Sequence, residues 1–179
     1  WATKLSFAWQ LPIGLGKRYA NDIGRLGDTI IGGWQIAGML VYHAGQPLTV
    51  DSGQVNPYMG PQWANWNYGV GVGTGRSCSK VNDQIFNPAA YSLAPAFSFG
   101  NARVHPSAQN CGFMQEDISI VKDFKIHEEF GIRIGLEMMN AFNRRNWKNA
   151  GSSVGSSGFG IINNTLDPKT MQVYVKVNF

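Results

Sequence analysis

Residues 171 to 179 read MQVYVKVNF, and the parity of this stretch decides the fold. Met171, Val173, Val175, Val177 and Phe179 fall on one side, Gln172, Tyr174, Lys176 and Asn178 on the other. Successive side chains of a strand point to opposite faces, so a period of two marks a strand with one apolar and one polar surface. Its length suits a bilayer crossing, for which a tilted strand needs about 9–11 residues.

The same rule recurs upstream. Phe130, Ile132, Ile134, Leu136, Met138 and Phe142 share one parity, interrupted by Asn140, against Gly131, Arg133, Gly135, Glu137, Met139 and Ala141. Leu5, Phe7, Trp9 and Leu11 alternate with Lys4, Ser6, Ala8 and Gln10. Trp34, Ile36, Leu40 and Tyr42 alternate with the mixed set Gln35, Ala37, Met39 and His43. Ile118, Ile120, Phe124 and Ile126 alternate with Asp117, Ser119, Asp123 and Lys125, although Lys122 falls on the apolar face. The pattern predicts five long strands.

The links between them are unequal. Residues 125 to 129 make a short turn, and residues 11 to 32 a moderate one punctuated by Pro12, Gly14, Gly16 and Gly27. Residues 46 to 113 and 143 to 169 make long loops. Short and long connections thus alternate, as in transmembrane barrels with tight periplasmic turns and long extracellular loops. The predicted fold class is all-β: an antiparallel transmembrane β-barrel segment of about five long strands with two long extracellular loops. On this orientation the chain ends at the periplasmic rim with Phe179. Bacterial barrels of this class have an even strand count, from about 8 upward. Residues 1–179 are therefore expected to be the C-terminal part of a larger barrel or one piece of an assembly, and Trp1, opening directly into a strand-like run, reads as a cut edge.

Composition agrees. The 179 residues are 44% hydrophobic and 12% aromatic but only 15% charged, against about 25% in soluble domains. Such a chain buries enough surface to order itself. No apolar run is long enough for a membrane-spanning helix. The net charge of +4 arises from basic residues scattered singly apart from Lys17-Arg18 and Arg144-Arg145, so no nucleic-acid footprint is present. Cys78 and Cys111 lack neighbours at zinc spacing and predict one disulfide, hence an oxidising compartment.

Candidate chemistry is sparse. The run from Gly69 to Ser77 lacks the Gly-Lys-Ser/Thr ending of a phosphate loop and reads as a flexible loop, and Gly14 to Lys17 reads as a turn. His43, His105 and His127 are isolated, and no metal site or cofactor is expected. The stretch Ser152 to Ser157 reads as a mobile loop rather than a nucleophile site. The neighbouring carboxylates Glu116-Asp117 and Glu128-Glu129 point to opposite faces of a strand and form no acid/base pair. No enzymatic activity is expected. Tyr58, Trp63, Trp66 and Tyr68 differ, because they lie among Asn, Gln and Gly in the longest loop. Such rings stack on a sugar or another planar ligand while polar neighbours orient it; the alternative is that they pack the loop against itself. Trp9, Trp34 and Phe179 lie near strand ends on apolar faces, where interfacial aromatics belong.

The ordered set LPIGLGK (11–17), IGGWQIAGMLVYHAGQPLTV (31–50), FSFGNARVHP (97–106), EDISIVKDFKI (116–126), IGLEMMNAFNRRNW (134–147) and DPKTMQVYVKVNF (167–179) resembles the C-terminal barrel region of TonB-dependent outer-membrane receptors. It is closest in character to the Oar-like type with a carboxypeptidase regulatory domain, common in acidobacteria. The resemblance implies an outer-membrane barrel of about 22 strands around an N-terminal plug. It implies import of a scarce carbohydrate, siderophore or peptide with energy delivered by TonB, ExbB and ExbD through the missing N-terminal part. Phe179 then stands where the family carries its barrel-assembly signal. No plug or TonB box is present in these residues, so the partners expected are the remaining strands and plug of a parent receptor, or other copies of this chain, and the lipid bilayer. A second reading is a barrel-derived fragment that assembles by strand pairing into an oligomer or extracellular filament. A third is a secreted soluble β-sandwich with a glycan-binding aromatic loop.

Overall fold

Alternation becomes registered pairing in the computed structural model, which describes residues 1–56, 58, 60–104, 107–126 and 130–179. His105, His127 and the pair Glu128-Glu129 lie outside the described residues. In chain order the elements are β1 (Ala2–Gln10), α1 (Gly24–Ile31), β2 (Trp34–His43), four short strands β3 (Asp51–Asn56), β4 (Gly60–Trp63), β5 (Asn65–Trp66) and β6 (Tyr91–Ser92), and then β7 (Phe113–Lys125), β8 (Gly131–Met139) and β9 (Thr170–Asn178). All five strands expected from the sequence form. They make one antiparallel sheet in the order β1-β2-β7-β8-β9, in which each long strand lies beside the next one in the chain.

The register shows what holds this sheet. Ile118, Met138 and Met171 line up across β7, β8 and β9, as do Ile120, Leu136 and Val173, and Phe124, Ile132 and Val177. Cross-strand neighbours of this kind, apolar and often β-branched, are the unit of sheet stabilisation. One row is broken, where Lys122 stands opposite Ile134 and Val175. The other face carries Asp123, Arg133 and Lys176 in one row and Val121, Gly135 and Tyr174 in another. Arg133 grips Asp123 with two hydrogen bonds of 2.7 and 3.0 Å. Gly135 is required by the ring beside it, since a Cβ there would lie 2.3 Å from Tyr174 Cζ.

Among the described residues most of the apolar face is left uncovered, the exception being the end around Lys122, which is buried beneath the connection that precedes β2. Leu5, Trp9, Met171, Val173 and Val175 are all exposed, and Val121 is the one residue of this sheet among the buried apolar side chains of the described residues. Water does not tolerate so continuous an apolar surface, whereas acyl chains do. A second large sheet to bury it, which a sandwich needs, is absent among the described residues: the other two sheets have two strands each.

The strands divide the connections as expected: 11–33 and 126–130 at one end of the sheet, 44–112 and 140–169 at the other. The chain separates into two compact units, the first containing the sheet and α1, the second made of residues 43–113 and 145–166. Two details depart from the sequence reading. Residues 24–31 form a helix within what reads as a glycine-punctuated turn. The strand expected to continue to Phe142 stops at Met139, because Asn140 adopts φ 51° and its side-chain oxygen accepts from Arg144 N at 2.7 Å, turning the chain.

Candidate functional site

The buried core of this chain lies in its loops. Val50, Ala64, Phe86, Ala90, Phe159 and Ile162 are among the buried residues of one cluster, and every member belongs to residues 43–113 or 145–166. The two long connections thus fold on each other as a module. The hairpin β3–β4 pairs antiparallel with a register shift between Asp51 and Val55. Beside it β5 and β6 pair through Asn65 with Ser92 and Trp66 with Tyr91.

Hydrogen bonds fasten the two connections together. The Asp51 carboxylate accepts from Ser152 Oγ (2.7 Å), Ser153 Oγ (2.5 Å) and Gly53 N (2.9 Å). Burial pushes this carboxyl's pKa up, but those donors outweigh it and leave the pKa below the usual carboxylate value. Asp83 accepts from Ser79 Oγ, Lys80 N and Ser79 N, and these bonds hold its pKa low as well. The backbone beside it joins the second connection through Asn82 N to Ile162 O (2.8 Å) and Ile162 N to Asp83 O (3.1 Å). Cys78 and Cys111 form the disulfide expected from the sequence, with Cα atoms 5.9 Å apart.

Two stretches read as mobile or flexible are therefore held. Ser152 and Ser153 are hydroxyl donors to Asp51. In the glycine run, Val72 is buried, and Thr74 bonds Ile85 O through its amide and Gln84 O through its hydroxyl. Glycine spacing signals backbone freedom but says nothing of distant partners. His43 is half-buried, and its ring stacks on Phe113 with centroids 5.1 Å apart.

The four loop aromatics do not form a single patch. Trp66 packs against the core and carries Tyr68, with ring centroids 4.6 Å apart, and Tyr68 is exposed. Trp63 instead meets Phe99 at 6.2 Å, with the Arg103 guanidinium 5.1 Å over its ring. Tyr58, at the tip of the β3–β4 hairpin, is 91% exposed. The sequence reading missed Phe97 and Phe99, both exposed. Phe97 has φ 60°, a conformation that bulky residues avoid, in a turn closed by Ser98 N and Ser98 Oγ donating to Pro95 O. Gly100 lets the chain pass behind Trp63, since a Cβ there would lie 2.0 Å from Trp63 O. Gln62 Nε2 donates to Ser98 O (3.1 Å) and Asn101 Oδ1 accepts from Trp66 N (2.7 Å), so both aromatic groups stand on one framework. The available signal was Phe-Ser-Phe-Gly itself, two rings of equal parity before a glycine.

Exposed rings beside Arg103, Asn and Gln side chains suit a planar or amphipathic ligand, with rings supplying contact area and polar groups orientation. Taken with the sheet, the arrangement defines a bilayer-spanning antiparallel β-barrel protein whose long connections form a separately cored module. The family model of the outer membrane beta barrel domain matches residues 2–172. The chain belongs to that family. No curated protein and no solved structure matches it significantly.

Proposed function

We propose that this chain is the C-terminal barrel segment of a TonB-dependent outer-membrane transporter, with its loop module forming part of the vestibule that receives a scarce substrate. The observation that supports this reading best is the module itself. Two connections far longer than strand closure requires share a hydrophobic core, and the longer of them is closed by a disulfide of its own and presents Tyr58, Tyr68, Phe97 and Phe99 outward. Long loops at one end of a barrel are where proteins of this architecture place recognition. The substrate class is a carbohydrate, a chelated metal or a peptide, and the protein acts by binding and transport rather than catalysis. The plug and remaining strands come from the parent receptor, TonB, ExbB and ExbD act through its N-terminal part, and Phe179 serves as the assembly signal.

The test is uptake in cells. Disrupting the gene for this chain is expected to abolish accumulation of one member of a labelled panel of oligosaccharides, ferric siderophores and peptides, and loss of TonB is expected to abolish the same uptake. Uptake that persists without TonB refutes the transporter reading.

A second reading, assembly of copies by strand addition, is favoured by one observation: β1 and β9 each pair on one side only among the described residues. Intact mass of the protein from its native source separates the two. A long parent polypeptide favours the transporter, and an abundant 19.7 kDa species in fibres favours assembly.

A further inference from the structure

The connection 11–33 carries more exposed apolar surface than a turn in water should. Leu26 is 86% and Ile30 70% exposed, and they lie one helical turn apart on α1, which has no buried residue. Leu15 and Tyr19, also exposed, precede them on the same connection. The helix is not adrift. Trp34 Nε1 donates to Ile30 O at 3.1 Å, and Trp34 stands on the apolar face of the sheet. Lys122, the polar intruder on that face, donates to Gly32 O, with its ammonium 5.5 Å from the Trp34 ring and 5.0 Å from the Phe124 ring. The end of α1 is thus tied down on the surface that faces lipid.

The charges match one kind of surrounding. Lys17, Arg18 and Arg25 are exposed on this connection against one exposed carboxylate, Asp22, while Asp28 is engaged by Leu15 N at 2.6 Å. The Arg18 guanidinium lies 5.5 Å over the Tyr19 ring. Exposed cations and an aromatic sharing one short connection with exposed aliphatic side chains make the composition of a segment lying in a headgroup layer, apolar groups toward the acyl chains. Trp9 and Trp34, exposed at the same end of the apolar face, continue into it.

We propose that residues 11–33, with α1 at their centre, lie in the phospholipid headgroup layer at the periplasmic rim, with Leu26 and Ile30 inserted and Lys17, Arg18 and Arg25 meeting lipid phosphates. The occupant of this apolar surface is the bilayer that covers the adjoining sheet face. Lys122 becomes a clasp: its carbonyl bond to Gly32 both satisfies an ammonium on the lipid face and holds the connection in place. This follows from membership of an outer-membrane barrel and does not depend on what is transported.

The test places a nitroxide at Leu26→Cys, Ile30→Cys and, as a lipid-facing reference, Val173→Cys, in protein refolded into vesicles of phosphatidylethanolamine and phosphatidylglycerol. Collision rates with oxygen and with a water-soluble nickel chelate are compared. The oxygen preference at positions 26 and 30 is expected to be several-fold above that of the free label in buffer and to approach that at 173. Nickel-dominated collisions at 26 and 30 overturn the proposal, and nickel dominance at 173 overturns it too, by removing the bilayer from the sheet. Water-accessible labels in vesicles that become protected only in native outer membranes assign the surface to a periplasmic protein instead, which also overturns it. Lys122→Met provides a separate reading: the apolar face stays intact, but the labels at 26 and 30 are expected to gain mobility and lose several-fold in oxygen preference, whereas unchanged spectra refute the clasp.

Discussion

At the scale of the residue, Asp51 couples the two long connections, and its chemistry sets a pH dependence. Three donors favour its ionised form, so its folded pKa lies below the unfolded value near ~3.9. Such a group adds stability that is fully present above the unfolded pKa and fades as pH falls through the folded one. The pKa of Asp83 shifts the same way. The loop module is therefore expected to loosen on acidification below about pH 4, read as pepsin nicking within residues 43–113. Asp51→Asn removes the charge-assisted bonds to Ser152 and Ser153 and should cost about 1–3 kcal/mol at neutral pH while flattening that dependence. An unchanged acid profile in the variant would refute the assignment. Tyr91 illustrates the converse. Its hydroxyl is buried with no hydrogen-bond partner among the described residues, and burial raises its pKa. Tyr91→Phe is expected to leave thermal stability unchanged or raise it by up to about 1 kcal/mol, because nothing bonded is lost. Neither role was legible in the sequence, since Ser152 and Ser153 lie far along the chain from Asp51 and no local pattern announces such a pair.

At the scale of the element, legibility follows locality. A strand with one lipid face writes its pattern into every second residue, so β1, β2, β7, β8 and β9 could be read with their faces, down to Lys122 as the misfit. Helix α1 could not, because eight residues with Gly24 and Gly27 carry too few apolar positions to compete with a turn signal. The loop core was also hidden, for Ala64, Ala90 and Phe159 meet through irregular chain without a period. The aromatics were legible as a group but not in their partners, which come from residues 97–103. Two elements yield predictions. Replacing Cys78 and Cys111 by Ser frees a closure spanning 33 residues and is expected to cost the loop module about 4 kcal/mol in the chain-entropy account. Protease sensitivity rising within residues 79–110 while the sheet stays protected is the expected readout; uniform destabilisation of both units would contradict their separation. Gly135→Val is expected to weaken the β8–β9 pairing by displacing the Tyr174 ring, read as faster exchange of the β9 amides bonded to β8 than in the unsubstituted chain, with β7 unchanged.

At the scale of the whole molecule, the distribution of burial decides what the chain needs around it. Among the described residues the buried apolar cluster lies in the loop module, while the sheet keeps most of its apolar face uncovered and two edges open. In hydrocarbon an unpaired row of N–H and C=O groups costs several kcal/mol per group, so β1 and β9 demand strands beside them. The demand can be met by the strands of a larger barrel or by other copies, and amide exchange distinguishes both from a bare sheet. In β7 and β8, paired on both sides, exchange should be slow under every condition that keeps the fold. In β1 and β9 the outward-pointing amides should exchange quickly when the chain is isolated and dilute in detergent, and slow down when it sits within its native assembly. Slowing that depends on concentration in the isolated chain identifies copies of itself as the partners; slowing seen only within a longer receptor identifies missing strands. Edge amides in a dilute detergent monomer that are as protected as those of β7 would show that the sheet closes on itself, and the requirement for added strands would fall.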